Sequence, residues 1–310
     1  MIKVGVVGVG YFGQFHAEKY AALEGAELAG VVDVDPSRAK EVAGRCRTQA
    51  FLRHSDLFGK VQAVSISVPT LFHYPIAKDF LLRGIDVFLE KPISHSLEEA
   101  DEMIELARSK GLILQVGHLE RFNGAYLAAQ GVVRTPLHIE SQRLSPFPGR
   151  GIDVNVILDL MIHDIDILLD LMDSEVKEIR AIGIPVLTPH PDIANAWVEF
   201  GNGCTATLTV SRVSREKTRR TNIYSSEGTL SIDYLNQRVS LSRKAAPFGI
   251  VEQEIPAQRI DTLEAEIRSF LESVRNRTLA KVSGEDGKRA LEVAFRIIRK
   301  IDEGLEKRKG

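Results

Sequence analysis

The sequence predicts an α/β protein with two domains, of which the first is a doubly wound parallel sheet and the second an α+β domain with a mostly antiparallel sheet. Three observations predict this fold class. Short apolar runs alternate with helix-like segments over residues 1–119, a Gly-Asn-Gly turn joins two strand-like runs in the middle of the chain, and two helical segments close it. Strands separated by helices pair in parallel, whereas a tight turn joins antiparallel neighbours. We therefore expect domains of residues 1–119 and 120–310.

The first domain is predicted from five apolar runs that have helices between them. Each run is short enough for a buried parallel strand. The helix after the fourth run begins at a capping box, in which Ser96 precedes Glu99 by three positions, and it stops at Gly111. The predicted strands are residues 2–7, 28–32, 61–68, 85–89 and 112–116, and the predicted helices are 15–23, 71–83 and 97–110.

The second domain is predicted from strands that no longer alternate with helices. The turn Gly201-Asn202-Gly203 is a hairpin signal, because glycine and asparagine tolerate a positive φ. One long helix, 154–172, precedes the hairpin and two helices, 262–276 and 284–304, follow the sheet. The predicted strands are 137–144, 194–200, 204–210, 221–226, 229–234 and 239–242.

Composition excludes several classes of protein. The 310 residues are 44% hydrophobic and 26% charged, which suits a folded globular chain rather than a disordered one. Forty basic against 42 acidic residues give a net charge of -2, so we expect no nucleic-acid or membrane partner. Two cysteines cannot form a disulfide framework, and the chain enters a strand at its start instead of a signal sequence. We therefore expect a cytoplasmic protein.

The first chemical motif is the turn Gly8-Val9-Gly10-Tyr11-Phe12-Gly13, which follows the first strand and precedes a helix. In this context the glycines let the backbone approach a pyrophosphate, which the free amides of the helix N-terminus also favour. Asp33 ends the second strand and would accept hydrogen bonds from the adenosine ribose. The sequence thus predicts a Rossmann domain and NAD, while Arg38 keeps NADP possible; a glycine turn without a ligand is the alternative.

The second motif is Glu90-Lys91-Pro92 at the carboxyl end of the fourth predicted strand. Ligands of open parallel sheets bind beyond the carboxyl ends of the strands. Lys91 is therefore a candidate to exchange a proton with a substrate hydroxyl. A surface lysine that merely follows a strand is the alternative.

The third motif is a polar stripe on the long helix of the second domain. Asn155, Asp159, His163 and Asp166 are spaced by four, four and three residues, so they share one face of an α-helix. A carboxylate one turn from an imidazole suits a general acid or base. A hydrogen-bonded core histidine or a metal site of Asp159, His163 and Asp166 are the alternatives; without further His or Cys ligands, we expect no metal.

Together these motifs resemble the glucose-fructose oxidoreductase and inositol dehydrogenase (Gfo/Idh/MocA) family. The resemblance implies an oxidoreductase with a catalytic trio of Lys91, Asp159 and His163, in which His163 or Lys91 accepts the hydroxyl proton as hydride moves to the nicotinamide. It also implies a large open sheet in the second domain that forms a homodimer or homotetramer. The matching residues are the glycine turn, Asp33, Val68-Pro69-Thr70 with His73, Glu90-Lys91-Pro92, 117–123 and 159–166.

The substrate is expected to be a sugar or nucleotide sugar. Residues 117–123 and 159–166 look like the group of bacterial UDP-N-acetylglucosamine 3-dehydrogenases, although Asn155-Val156-Ile157-Leu158 stands where the family often has a pair of glycines. A dehydrogenase of a free cyclitol or aldose, and a non-catalytic dinucleotide-sensing regulator, are the alternatives.

The resemblance and the motifs assign two sets of binding residues. Arginine suits a diphosphate because its guanidinium presents a fork of donors, and Arg121, Arg143 and Arg150 are candidates for that contact; surface ion pairs are the alternative. The cofactor set is Gly8, Gly10, Tyr11, Phe12, Gly13, Asp33, Arg38, Pro69, Thr70, His73, Glu90 and Lys91, and the substrate set is Lys91, Arg121, Asn123, Arg150, Asn155, Asp159 and His163.

Overall fold

Two sheets of different kinds organise the chain, one in each of two units. The computed structural model describes residues 1–147, 155–247 and 249–307. The first unit consists of residues 1–118 and 263–288, and the second of 119–262 and 289–310. The predicted fold class is confirmed, because the first sheet has six parallel strands and the second has eight strands that are mostly antiparallel.

The sheet of the first unit has the strand order β3-β2-β1-β4-β5-β6, which is doubly wound around β1 and β4. Its strands are apolar on both faces, as parallel strands covered by helices require. The elements are β1 Ile2–Val7, α1 Gly13–Ala22, β2 Ala26–Val32, α2 Pro36–Cys46, β3 Ala50–Phe51, β4 Ala63–Ile66, α3 His73–Leu82, β5 Asp86–Glu90, α4 Leu97–Lys110 and β6 Leu114–Gly117.

Two elements of the first unit, helix α2 and strand β3, were not predicted. Helix α2 begins after Asp35, whose carboxylate accepts the amides of Ser37 and Arg38 at 2.9 and 3.3 Å, with Pro36 in its first turn. This Asp-Pro start is a known helix signal. Strand β3 has only two residues, too few for a hydrophobic pattern to be visible in the sequence.

A helix from the C-terminal part of the chain completes the first unit and corrects the predicted domains. Helix α7, Thr262–Asn276, was assigned to residues 120–310. Its Phe270 contacts Phe88 of β5 edge to face, with ring centroids 5.7 Å apart. Just beyond it, Arg277 binds both carboxylate oxygens of the buried Asp86 at 2.8 and 2.9 Å. Residues 263–288 therefore belong to the first unit, because their apolar face fills its core.

The sheet of the second unit has the order β14-β13-β12-β11-β7-β10-β9-β8, in which the pair β7 and β10 is parallel and the other pairs are antiparallel. Strands β8 and β14 were not predicted. The elements are α5 Gly124–Ala129, β7 His138–Leu144, α6 Ile162–Leu171, β8 Val176–Ile184, β9 Ile193–Phe200, β10 Thr205–Ser211, β11 Thr218–Ser225, β12 Gly228–Asp233, β13 Arg238–Ala245, β14 Gly249–Ile255 and α8 Gly284–Glu306, which starts in the first unit.

One face of this sheet carries the core of the second unit. Buried and half-exposed residues alternate along β9, and Phe200 lies on the buried face with Ile165 of α6 and Ile297 of α8. Trp197 lies on the other face and is half exposed. Association of copies through the open face remains a prediction.

The predicted single helix 154–172 has two parts in the structure, and its first residue lies outside the described residues. Residues Ile157–Met161 form a π-helical turn, and α6 follows from Ile162. A π-helical turn has wider spacing than an α-helix, so it changes the register of the side chains that follow. No helix of the described residues is long and apolar enough to cross a membrane.

Candidate functional site

The glycine turn of the first unit has two glycines that the fold requires and one that leaves open space. Gly8 has a φ of +81°, and a Cβ atom on it would lie 2.4 Å from the carbonyl oxygen of Ser67. A Cβ on Gly13 would lie 1.8 Å from the carbonyl oxygen of Gly8. A Cβ on Gly10 would meet no atom of the described residues within 4 Å. The turn is therefore closed on the side of the sheet and open at Gly10, as a cradle for a ligand must be.

Asp33 braces this turn from the end of β2. One carboxylate oxygen accepts the amide of Val9 at 3.0 Å, and the other accepts the amide of Asp35 at 3.0 Å and a guanidinium N–H of Arg38 at 3.4 Å. Asp33 is buried, whereas the Arg38 side chain is 48% exposed. The carboxylate therefore holds negative charge beside the turn.

Tyr11 and Phe12 occupy the two non-glycine positions before Gly13, and both are exposed. The Tyr11 ring contacts the rings of Phe12 and Phe15 edge to face, at 5.4 and 5.8 Å. These contacts form a cluster of three exposed aromatic rings at the turn and the start of α1.

Replacing Gly10 by Ala is expected to leave the fold intact and to weaken NAD binding. Gly10 has no positive φ and its Cβ position is free, so the backbone accepts Ala. The added methyl would occupy the space into which a pyrophosphate must approach, so we expect the Kd for NAD to rise about tenfold or more, which is about 1.4 kcal/mol. Calorimetric titration with NAD measures this.

Gly44→Ala is the matched control for this variant. Gly44 lies on the exposed side of α2, where an added Cβ also meets no neighbour. The Kd of the Gly44→Ala variant for NAD should stay at the wild-type value. An unchanged affinity in Gly10→Ala would show that the dinucleotide does not approach this turn.

Glu90 anchors the segment that carries Lys91. Its carboxylate binds Nε2 of His16 in α1 at 3.1 Å and accepts the Lys91 amide at 3.3 Å. Burial opposes ionisation of Glu90, but the hydrogen bond and charge of His16, with the charge of Lys91, outweigh it and lower the pKa of the carboxyl. A Cβ on Gly117 would lie 3.1 Å from this carboxyl group, so Gly117 leaves room for it.

His73 supports the same segment from the other side, which corrects its assignment as a cofactor contact. Its Nδ1 lies 2.8 Å from the carbonyl oxygen of Pro92, and its Nε2 lies 2.9 Å from that of Val68. The ring is buried, and burial lowers its pKa despite these carbonyls. Both nitrogens thus face the protein backbone. Pro69 is exposed and Thr70 half exposed at the carboxyl end of β4, where a ligand can reach them.

Asp159 and His163 lie on either side of the junction between the π-helical turn and α6, and both are half buried. Asn155 begins this segment: its side-chain oxygen accepts the amide of Ile157 at 3.0 Å, and its carbonyl accepts the amide of Asp159 at 3.0 Å. Asn155 therefore caps the helix. Asp159 and His163 belong to the second unit, and Lys91 to the first.

The polar stripe predicted to run on to Asp166 is wrong, because Asp166 is buried in an ion pair. Arg121 donates to its two carboxylate oxygens at 2.8 and 2.9 Å, and it also contacts Asp170. The described residues contain no cluster of His, Cys, Asp and Glu suited to a metal ion.

Arg121 and Arg143 are not diphosphate contacts, because buried carboxylates occupy both guanidinium groups. Arg143 donates to both oxygens of Asp164 at 2.9 and 3.0 Å and to Glu120 at 3.0 Å. Both arginines are almost completely buried. Arg121 and Arg143 therefore form ion pairs, as the alternative interpretation expected, but these ion pairs are buried and not at the surface.

Asn123 is also a structural residue rather than a substrate contact. Its side-chain oxygen accepts the amide of Ala125 at the start of α5, and its NH₂ group donates to Glu120 at 3.2 Å and to the carbonyl of Tyr234 at 3.1 Å. These bonds use both ends of a buried amide. Arg150, the third arginine proposed for the diphosphate, lies outside the described residues.

The sequence analysis missed three residues that shape these sites: His16, Glu120 and Asp164. A signal existed for Asp164, since it and Asp166 alternate with the apolar residues Ile165 and Ile167 in a mostly apolar helix. Carboxylates on the buried side of a helix need cationic partners. Their partners could not be chosen from the sequence.

Comparisons with known proteins agree along nearly the whole chain. A family profile described as oxidoreductase family, NAD-binding Rossmann fold, matches residues 2–118, and one described as GFO/IDH/MocA C-terminal domain matches residues 124–231. UDP-N-acetylglucosamine 3-dehydrogenase of Acidithiobacillus ferrooxidans is 37% identical over 96% of both chains. Its crystal structure superimposes with a TM-score of 0.92, covering 97% of this chain and 98% of that one. The scyllo-inositol 2-dehydrogenase (NAD(+)) of Bacillus subtilis is 27% identical over 98% of this chain and 95% of the relative.

Proposed function

This chain belongs to the Gfo/Idh/MocA family of oxidoreductases, and we propose that it oxidises the 3-hydroxyl of UDP-N-acetylglucosamine to a ketone. The observation that carries this proposal is the whole-chain similarity to a UDP-N-acetylglucosamine 3-dehydrogenase, which extends through both units. The inositol dehydrogenases are more distant relatives, which makes a free cyclitol the less favoured substrate.

The first unit is an NAD-binding Rossmann domain of this family, and its residues fit the cofactor. The open space at Gly10 and the positive end of the α1 helix dipole suit a pyrophosphate. The Asp33 carboxylate would repel a 2′-phosphate, which favours NAD over NADP despite the nearby Arg38. Bound NAD supplies the acceptor for the hydride at C4 of its nicotinamide.

The proposed chemistry uses Lys91, Asp159 and His163. Oxidation of an alcohol requires a group that accepts the hydroxyl proton while hydride leaves the carbon, and Lys91 and His163 are the two candidates. The Asp159 carboxylate, four residues before His163, would stabilise the imidazolium that forms if His163 takes the proton. The Glu90 and His73 contacts hold the backbone on both sides of Lys91 and so fix its position.

The test is to incubate the protein with NAD or NADP and a panel of UDP-N-acetylglucosamine, myo-inositol, scyllo-inositol and glucose. Reduced nicotinamide is followed by absorbance, and hydroxylamine traps the ketone as an oxime for mass spectrometry, because oxidation of secondary alcohols by NAD is reversible. We expect turnover with UDP-N-acetylglucosamine and NAD, and a product that has lost two hydrogens from the sugar ring.

The other outcomes separate the alternatives. Turnover of an inositol or of glucose without turnover of the UDP-sugar would replace the nucleotide sugar with a free polyol. Binding of NAD with no turnover of any member of the panel would favour a dinucleotide-sensing protein.

A further inference from the structure

A second arginine lies beside the buried Arg143 in the second unit, and its charge is poorly compensated. Arg219 of β11 is the direct cross-strand partner of Arg143 on β7. Like charges that face each other across a pair of strands are destabilising. Glu120 offsets this repulsion with one carboxylate oxygen, which accepts from Arg143 at 3.0 Å and from Arg219 at 3.3 Å.

The other carboxylate oxygens around Arg143 and Arg219 already accept hydrogen bonds from other residues. Asp164 gives both of its oxygens to Arg143, and the second oxygen of Glu120 accepts from Asn123. Among the described residues, Glu120 is the one hydrogen-bond partner of the Arg219 side chain. Several N–H donors of this guanidinium are therefore left for a ligand.

The Arg219 side chain is enclosed but still reachable. It is 35% exposed, whereas that of Arg143 is 3% exposed. Burial and the charge of Arg143 lower the pKa of Arg219, and they outweigh the opposing charges of Glu120 and Asp164. The exposed segment Arg215-Glu216-Lys217, which precedes β11, adds one net positive charge.

Contacts within the second unit connect Arg219 to the segment that carries Asp159 and His163. Arg143 joins the cluster to Asp164, which is the residue after His163. The π-helical turn that carries Asp159 packs on β10. The backbone of Ser145, just after β7, bonds to Ser211 at the end of β10 and to Ser214 in the connection to β11. Arg219 thus belongs to the same part of the second unit as Asp159 and His163.

We infer that Arg219 binds the diphosphate of the nucleotide-sugar substrate, a role that Arg121 and Arg143 cannot fill. The inference rests on the proposed function, because it needs a substrate with phosphate groups. A phosphate oxygen would receive charge-assisted hydrogen bonds from the free donors of Arg219 and would offset its repulsion with Arg143.

The test compares UDP with uridine, which lacks the phosphates, on wild-type protein and on Arg219→Gln. We expect the Kd for UDP and the KM for UDP-N-acetylglucosamine to rise about 10- to 100-fold in the variant, as for the loss of a charged hydrogen bond. The Kd for uridine should not change. Arg219→Lys keeps the charge but not the fork of donors, so its Kd for UDP should lie between those of the wild type and of Arg219→Gln.

Arg220→Gln is the matched control. Arg220 is the next residue of β11 and faces the opposite side of the sheet, where it is exposed. The Arg220→Gln variant should bind UDP with the wild-type Kd. Melting temperatures distinguish binding from structure: removing a like-charge pair should leave Arg219→Gln as stable as wild type or more stable.

Each result has a definite meaning. A wild-type protein that binds no UDP and turns over no UDP-sugar would overturn the proposed substrate and this inference together. Wild-type turnover of the UDP-sugar with unchanged UDP affinity in Arg219→Gln would overturn the inference alone. A variant that melts lower and loses UDP and uridine binding equally would show that Arg219 is structural, which also overturns it.

Discussion

Replacing Lys91 by Met is expected to lower kcat for the proposed oxidation by about 10²- to 10⁴-fold, the usual contribution of a general acid or base. Met has a similar length but no proton to exchange. The fold should survive, because the hydrogen bond from residue 91 to Glu90 comes from the backbone amide, which Met retains. Steady-state kinetics with UDP-N-acetylglucosamine, together with the Kd for NAD, measure the effect.

The control is Lys40→Met, a change of the same kind on the exposed side of α2. It should leave kcat unchanged. Full turnover of Lys91→Met would exclude Lys91 from the mechanism. A loss of turnover that comes only from a weaker Kd for NAD would make Lys91 a cofactor contact instead of a proton carrier.

Replacing Arg143 by Met is expected to lower the free energy of unfolding of the second unit by about 3–5 kcal/mol, the cost of removing one partner of a buried ion pair. Asp164 and Glu120 would keep buried negative charges that Arg143 now binds. Urea unfolding measures the effect. Trp197 is the single tryptophan of the chain and lies on β9, so its fluorescence reports on the second unit.

Two further variants keep this prediction testable. Arg238→Met breaks an ion pair with Glu254 at 3.1 Å in which both side chains are mostly exposed, so its effect should be far smaller. Arg143→Lys keeps a cation and provides an intermediate case if Arg143→Met does not fold. Equal effects of Arg143→Met and Arg238→Met would show that the buried network does not stabilise the unit.

The cofactor half of the fold could be predicted because its signals are local. Gly8 and Gly13 mark a turn that a Cβ would block, and Asp33 follows at the end of the next strand. The predicted hairpin around Gly201-Asn202-Gly203 formed between β9 and β10 for the same kind of reason. The glycine turn and the hairpin turn each depend on residues within a few positions of one another.

The elements that were missed lack such local signals or depend on distant partners. Strand β14 is exposed along nearly its whole length, so no hydrophobic alternation marks it. The π-helical turn before α6 has the apolar spacing of an ordinary helix, and its different hydrogen bonding cannot be recognised from that spacing.

The sequence by itself determined the glycine cradle and most of the strands and helices of the first unit, because backbone freedom and hydrophobic periodicity are properties of neighbouring residues. The candidate trio of Lys91, Asp159 and His163 followed from the family resemblance. Only the tertiary structure decided which arginines are neutralised. Arg143 and Arg219 lie 76 positions apart and become neighbours through the register of β7 and β11. A charge in a sequence has no known partner until the chain folds, and the partner decides whether that charge stabilises the protein or remains available to a ligand.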